Sequence, residues 1–350
     1  MFIPYSIVNP LTKIRIPRLL PSSGEVLVRK GDFVEPTQIV AQAVSPPDFR
    51  IVEVAQDLDI SAQKALGHLN VARGEPVSEG DVLATRGGLG ARVCRSPITG
   101  RVVGIGRGRL LLEAEPEIYR LNALVPGYVA EARPEEGVVI ELVGGLIQAL
   151  WGNGQEAYGP LRLLVRERQH PIRPTHINAS SQGAILIGGS TVDEATLGQA
   201  EEMQVRGIIV GSIPPSLLGR AREAKLALIA TEGVGSTPMC SAVFELLRSV
   251  DGREAALSGD VGDRWYPKRP FIVVPMPTRV APSVDIDAPL KVGDRVRILR
   301  GPDRGRFGTI SQMLEGLIQM ETGARLRGAE VALDQDEFAR VPYANLERLL

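Results

Sequence analysis

The densest set of side chains able to do chemistry lies between residues 291 and 306. Lys291, Arg295, Arg297, Arg300, Arg304 and Arg306 stand there against only Asp294 and Asp303, a local charge of 6 − 2 = +4. Guanidinium groups are planar and donate in pairs, a geometry that suits phosphate oxygens. Cations spaced along a turn attract a polyanion backbone in a salt-dependent way. These six residues are therefore the candidate nucleic-acid-binding set, with RNA as the expected ligand. Aromatic platforms for stacking bases are few in the region, namely Phe307, Phe338 and Tyr343. A protein partner and a purely structural turn are the competing readings of the same residues.

A second set is built from small polar residues. Gly188, Gly189, Ser190 and Thr191 follow one apolar run, Gly211 and Ser212 sit at the end of another, and Thr231, Gly233, Gly235 and Ser236 follow a third. Each loop leads into a helical or proline-opened stretch. Unpaired backbone N–H groups at helix starts hold anions, so a small anionic ligand or a peptide end is one reading. Ordinary turn chemistry is the other. No loop matches a phosphate-binding Walker sequence or a dinucleotide fingerprint. Glu232 is the one acid in these loops, and it has no His or Cys partner nearby in sequence. No paired carboxylates or nucleophile–base pair emerges, so the expectation leans away from an enzyme and includes no cofactor.

Cys94 and Cys240 are the only cysteines, and His68, His170 and His176 lack regular ligand spacing. No disulfide framework and no metal site is expected from them. No window reaches the length of a membrane-spanning helix, and the first twenty residues carry prolines at 4, 10 and 17. A reduced cytoplasm is the expected compartment. The 40 Lys and Arg balance 41 Asp and Glu, for a net charge of −1, so the whole chain is no general polycation.

The elements that must hold these residues fall into three predicted domains, a multidomain α+β organisation. Residues 1–145 read as all-β. Val28-Arg-Lys-Gly-Asp-Phe-Val34, Val71-Ala-Arg-Gly-Glu-Pro-Val77 and Ser96-Pro-Ile-Thr-Gly-Arg-Val-Val103 each place a glycine turn between short β-branched runs, and Val125-Pro-Gly-Tyr-Val129 echoes them. This pattern resembles the barrel-sandwich hybrid of biotinyl and lipoyl carriers and of the Rnf-complex C subunit. The carriers' acceptor-lysine motif is missing, since Lys13, Lys30 and Lys64 are the only lysines of the region. The resemblance therefore implies a structural module without an acyl group.

Residues 160–264 alternate apolar strands with helical stretches, which predicts a small α/β domain with a parallel sheet. Residues 265–289 hold prolines 267, 270, 275, 277, 282 and 289 and read as an extended linker with one edge strand over 271–274. Residues 290–350 open with Leu-Lys-Val-Gly-Asp-Arg-Val-Arg-Ile-Leu-Arg-Gly-Pro-Asp-Arg-Gly-Arg-Phe-Gly-Thr-Ile. That run resembles the KOW motif of NusG-type elongation factors and ribosomal proteins. It implies a five-stranded SH3-like β-barrel and a partner in the ribosome or transcription machinery. A non-enzymatic RNA-associated factor, a protein scaffold, and a sensor or enzyme of small anions are the three functions left open.

Overall fold

The structure is a computed structural model that describes residues 6–45, 47–88, 90–262, 268–278, 289–320, 323–333 and 337–349. The chain is mostly β, organised around one large mixed sheet. The sheet begins with Trp151–Gly152 and runs through Ala227–Ala230, Gly207–Val210, Ile185–Ile187 and Glu156–Leu163. It continues through Glu254–Ser258, Phe271–Pro275, Gly137–Gln148 and Ser6–Leu19. It ends with Leu346–Leu349, Arg295–Ile298, Phe307–Gln319, Arg325–Leu333 and Phe338–Pro342. No described helix is long and apolar enough to cross a membrane.

The middle of the chain supplies the parallel part. Leu161, Ile185, Gly207 and Ala227 stand side by side in parallel register. Helices Glu194–Glu202 and Leu218–Glu223 make the crossovers. The first parallel strand starts at Glu156, ahead of the expected boundary at 160. Glu254–Ser258 pairs antiparallel with Glu156–Leu163, so it reverses the sheet's direction and does not extend the parallel set. Helix Ser241–Ser249 packs Val243, Phe244 and Leu247 into the core, as its apolar spacing requires.

Phe271–Pro275 corrects the reading of its surroundings as a linker. It is an interior strand, antiparallel to both Gly137–Gln148 and Glu254–Ser258. Ile272 and Val274 enter one core with Val8, Ile147 and Leu257, while Val273 enters another with Ile14, Ile16 and Val138. Both faces of the strand are buried, which an unbroken Ile-Val-Val run satisfies. The neighbouring prolines 267 and 282 lie outside the described residues.

In the amino-terminal region the glycine turns do separate short strands, among them Gly100–Gly106 and Arg109–Ala114. Gly137 shows why one such residue must be glycine. Its φ is +136°, and a Cβ there would lie 2.2 Å from the Arg18 carbonyl oxygen. The all-β expectation misses helices Val54–Asp57 and Ala62–Ala65. Val54, Leu58 and Ala65 bury one face of that stretch against Leu83, Val102 and Leu110. Ala, Gln and Lys are good helix formers, so the helices follow a local signal that the all-β reading passed over.

The five carboxyl-terminal strands are present and share a core of Val296, Ile298, Ile310, Val331 and Val341. They form an open sheet and no closed barrel. Leu346–Leu349 also pairs in parallel with Ser6–Leu19, which joins the two ends of the chain.

Asn153 fixes the start of the last parallel strand. Its amide nitrogen donates to the Leu226 carbonyl at 2.9 Å and to those of Ala221 and Ala224 at 3.3 Å. Its oxygen accepts from the Leu228 N–H at 2.9 Å. Asn153→Asp turns a carboxylate oxygen toward three carbonyls. We expect it to lower stability by about 2–4 kcal/mol, read from urea unfolding, with Asn153→Ala costing less.

Candidate nucleic-acid interface

Strand Arg295–Ile298 alternates between two environments. Val296 and Ile298 enter the carboxyl-terminal core, so Arg295 and Arg297 take the other face. Arg297 is buried there. Its Nη1 donates to both carboxylate oxygens of Glu232 at 3.0 Å, and its Nε donates to Glu347 Oε2 at 2.7 Å. All three side chains are nearly closed to solvent, with exposures of 3%, 6% and 2% for Arg297, Glu232 and Glu347. Burial opposes the charge on Arg297, but Glu347 and Glu232 outweigh it and push its pKa above the ordinary value. Glu232 Oε1 also accepts the Cys240 N–H at 3.0 Å, at the start of helix Ser241–Ser249. Beside this group Arg348 pairs with Asp294 at 3.2 Å, again in the interior.

The six expected phosphate contacts therefore separate. Arg297 is removed from the set, because its guanidinium is enclosed by two carboxylates. Arg306 is partly exposed but neutralised: it bonds Asp303 at 2.9 Å and also Glu337. Hydrogen bonds from Glu337, then Asp303, raise its pKa. Lys291, Arg295, Arg300 and Arg304 are exposed and form no ion pair with a carboxylate among the described residues. They do not form one patch. Arg295 lines a groove with Phe307, Leu349 and Leu246 against helix Ser241–Ser249. Arg300 and Arg304 sit at the turn between strands, where Arg304 Nη2 reaches the Glu232 carbonyl at 3.5 Å.

Two cations were not singled out from the sequence. Phe307–Gln319 and Arg325–Leu333 form a long hairpin whose far end is exposed on both strands. Arg325 lies opposite Gln319 and Arg327 opposite Leu317, both arginines being exposed. The available signal was the Arg-Leu-Arg alternation, which puts both guanidiniums on one face of a strand. The first strand of this hairpin ends at Gln319, and residues 321 and 322 lie outside the described set.

The three small-residue loops do converge at the carboxyl ends of the parallel strands, where ligands often bind. Most of their backbone donors are already engaged. Gly189 and Ser190 donate to His170 O, Ser212 to Ser190 O, Thr231 to Val210 O and Gly235 to Ile213 O. The N–H groups of Glu232 and Gly233 likewise end on Gly211 O and Ala230 O. Gly188 donates to Ile209 O, and a Cβ on Gly211 would lie 2.3 Å from the Met239 nitrogen. Thr191 faces a neighbouring pocket lined by Ile172, Asp193 and Pro214. Most of the donors expected to cradle an anion here thus bond the protein's own carbonyls.

The described histidines and cysteines form no group of three or more with acids that could hold a metal ion. Cys240 is buried, and burial pushes its pKa up despite Arg297 close by. Cys94 donates its thiol hydrogen to Asp57 Oδ2 at 3.1 Å. Burial and then Asp57 raise its pKa from 9.0 to about 12.

Removing Arg297 leaves two carboxylates buried without a counter-ion. Arg297→Leu should cost about 3–5 kcal/mol, and adding Glu232→Gln and Glu347→Gln should recover most of it in urea unfolding. The Cys94 shift has its own signature. The folded state favours the neutral thiol, so its contribution to stability is whole below pH 9 and is lost as pH rises toward about 12. Cys94→Ala should abolish that component of the alkaline stability slope. No protein-family model and no curated protein matches this chain.

Proposed function

We propose that the protein is a non-enzymatic binding factor that docks on RNA, or on an RNA-containing assembly such as the ribosome or a transcription complex. The proposed contacts are Arg300 and Arg304 on the turn after strand Arg295–Ile298, with Arg325 and Arg327 on the projecting hairpin. The observation that supports this reading is the set of exposed guanidiniums without carboxylate partners among the described residues, carried by a KOW-like segment. The sequence of that segment resembles a KOW motif, and the glycine-turn repeats before it resemble a barrel-sandwich module that would serve as support. Buried ion pairs fix the turn against the middle of the chain, so the cations meet a ligand with little loss of conformational freedom.

A second reading, a protein scaffold, rests on a different surface. Val44, Phe49, Ile51 and Ile118 are between half and two-thirds exposed near one neck of the amino-terminal region. Concentrated exposed apolar groups mark protein contacts. In this reading the neck, and not the arginines, carries the affinity.

Filter binding to structured RNA across a salt series separates the two. Arg300→Ala with Arg304→Ala should weaken binding and flatten the salt slope by about 1.5–2 units, one contact per cation. Arg306→Ala should leave the slope unchanged, because Asp303 and Glu337 already neutralise that residue. Equal RNA binding by wild type and the double variant would end the first reading. Nuclease-resistant co-purification that is lost in Ile51→Asp would establish the second.

A further inference from the structure

The opposite edge of the parallel strands, at their amino ends, carries an open cleft of about 550 Å³. Residues 36–37 and 122–124 form one wall, and 156–158, 204–206 and 225–226 form the other. Its hydrogen-bonding groups are unevenly engaged. Both carboxylate oxygens of Glu156 are held by Arg18, one of them at 2.8 Å. Those of Glu201 accept from Arg220 and from the Lys225 N–H. Burial works against ionising Glu201, but Arg220 and Lys225 hold its carboxyl below the usual range. The Gln204 oxygen accepts from Gln182 at 2.8 Å. The acids and the Gln204 oxygen of this lining thus have partners.

The donors are not used in the same way. Arg206 gives one nitrogen to the Tyr158 carbonyl at 2.6 Å, which leaves its Nε and Nη2. Lys225 is exposed, and neither cation has an ion-pair partner among the described residues. The Gln204 amide nitrogen remains a donor, because its oxygen is the atom that accepts. Burial, then Glu254 and Glu35, raise the Tyr158 pKa, so its hydroxyl stays protonated and able to donate. The wall is also firmly built: Leu124 is held at φ +69°, its N–H on the Pro36 carbonyl at 2.9 Å and its side chain buried.

We propose that this cleft binds a small phosphate dianion, free or carried as a phosphomonoester, through Arg206, Lys225 and the Gln204 amide. Two cations and neutral donors match the charge and the several oxygens of a phosphate better than a single carboxylate. The site lies across the parallel strands from the arginine-bearing turn, so it is separate from the RNA reading.

Calorimetric titration of the full chain with inorganic phosphate, ribose 5-phosphate and acetate, at matched ionic strength, tests the assignment. Saturable binding of a phosphate compound, with acetate about tenfold weaker or more, is the expected result. Tighter binding of the sugar phosphate identifies a metabolite, and equal binding identifies the free ion. Lys225→Ala should weaken phosphate binding about tenfold and Gln204→Glu should weaken it further, each with an unchanged circular dichroism spectrum. Lack of saturable binding by both phosphate compounds overturns the proposal. So does acetate binding as tightly as phosphate, or an affinity unchanged in both variants.

Discussion

The carboxyl-terminal segment depends on one buried contact, the Arg297 guanidinium held between Glu232 and Glu347. Glu232 belongs to the loop after a parallel strand, Glu347 to the last strand of the chain, and Arg297 to the strand between them in space. One cation therefore ties three distant stretches together. Such a group is not a strong source of net stability, because desolvating three charges offsets much of their attraction. It is a source of position. With either partner missing, a charge is stranded in the interior, so alternative dockings of the segment are disfavoured. Cys240 adds to this by donating its N–H to Glu232, which places the start of a helix on the same carboxylate.

That contact also joins a carboxyl edge of the parallel strands where most loop donors are already engaged. In an open sheet of this kind the edge is where ligands collect, because strand ends and helix starts leave N–H groups unpaired. Here the 188–191 loop bonds to His170 and Ser212, and the 231–235 loop bonds to Gly211 and Ile213. Arg297 then neutralises the one acid of the region and Arg304 covers its carbonyl. A side chain that reads in sequence as a phosphate contact serves instead as a lid fixed from within.

How much was legible follows from the range of each interaction. The glycine turns, the apolar strands Ile185–Ile187, Gly207–Val210 and Ala227–Ala230, and the amphipathic helix Ser241–Ser249 rest on local patterns, in line with the expected alternation of strands and helices over 160–264. The burial of Arg297 was not legible, because its partner Glu232 lies 65 residues away in sequence. An alternating Arg-Val-Arg-Ile run fixes only that the arginines share a face; it does not reveal whether water or another segment covers it. Phe271–Pro275 failed for a related reason. Flanking prolines indicate extended chain, and both a linker and an interior strand are extended. Only the neighbours decide between them, and those neighbours come from residues 137–148 and 254–258.

The same reasoning bears on how charge should be read in this chain. A count of basic residues ranks the 291–306 run first, yet the structure divides those residues by what already faces them. Arg297 and Arg306 have carboxylates; among the described residues Arg300, Arg304, Arg325 and Arg327 do not. At the amino edge of the parallel strands the sequence shows no cluster at all, since Arg206 and Lys225 lie just before two separate strands. The sheet brings them to one cleft, and Arg18 and Arg220 engage the acids that would otherwise cancel them. Binding capacity in this fold is set by the donors left over after internal pairing. Those leftovers are produced by topology, which is why a linear reading finds the charge but misplaces its use.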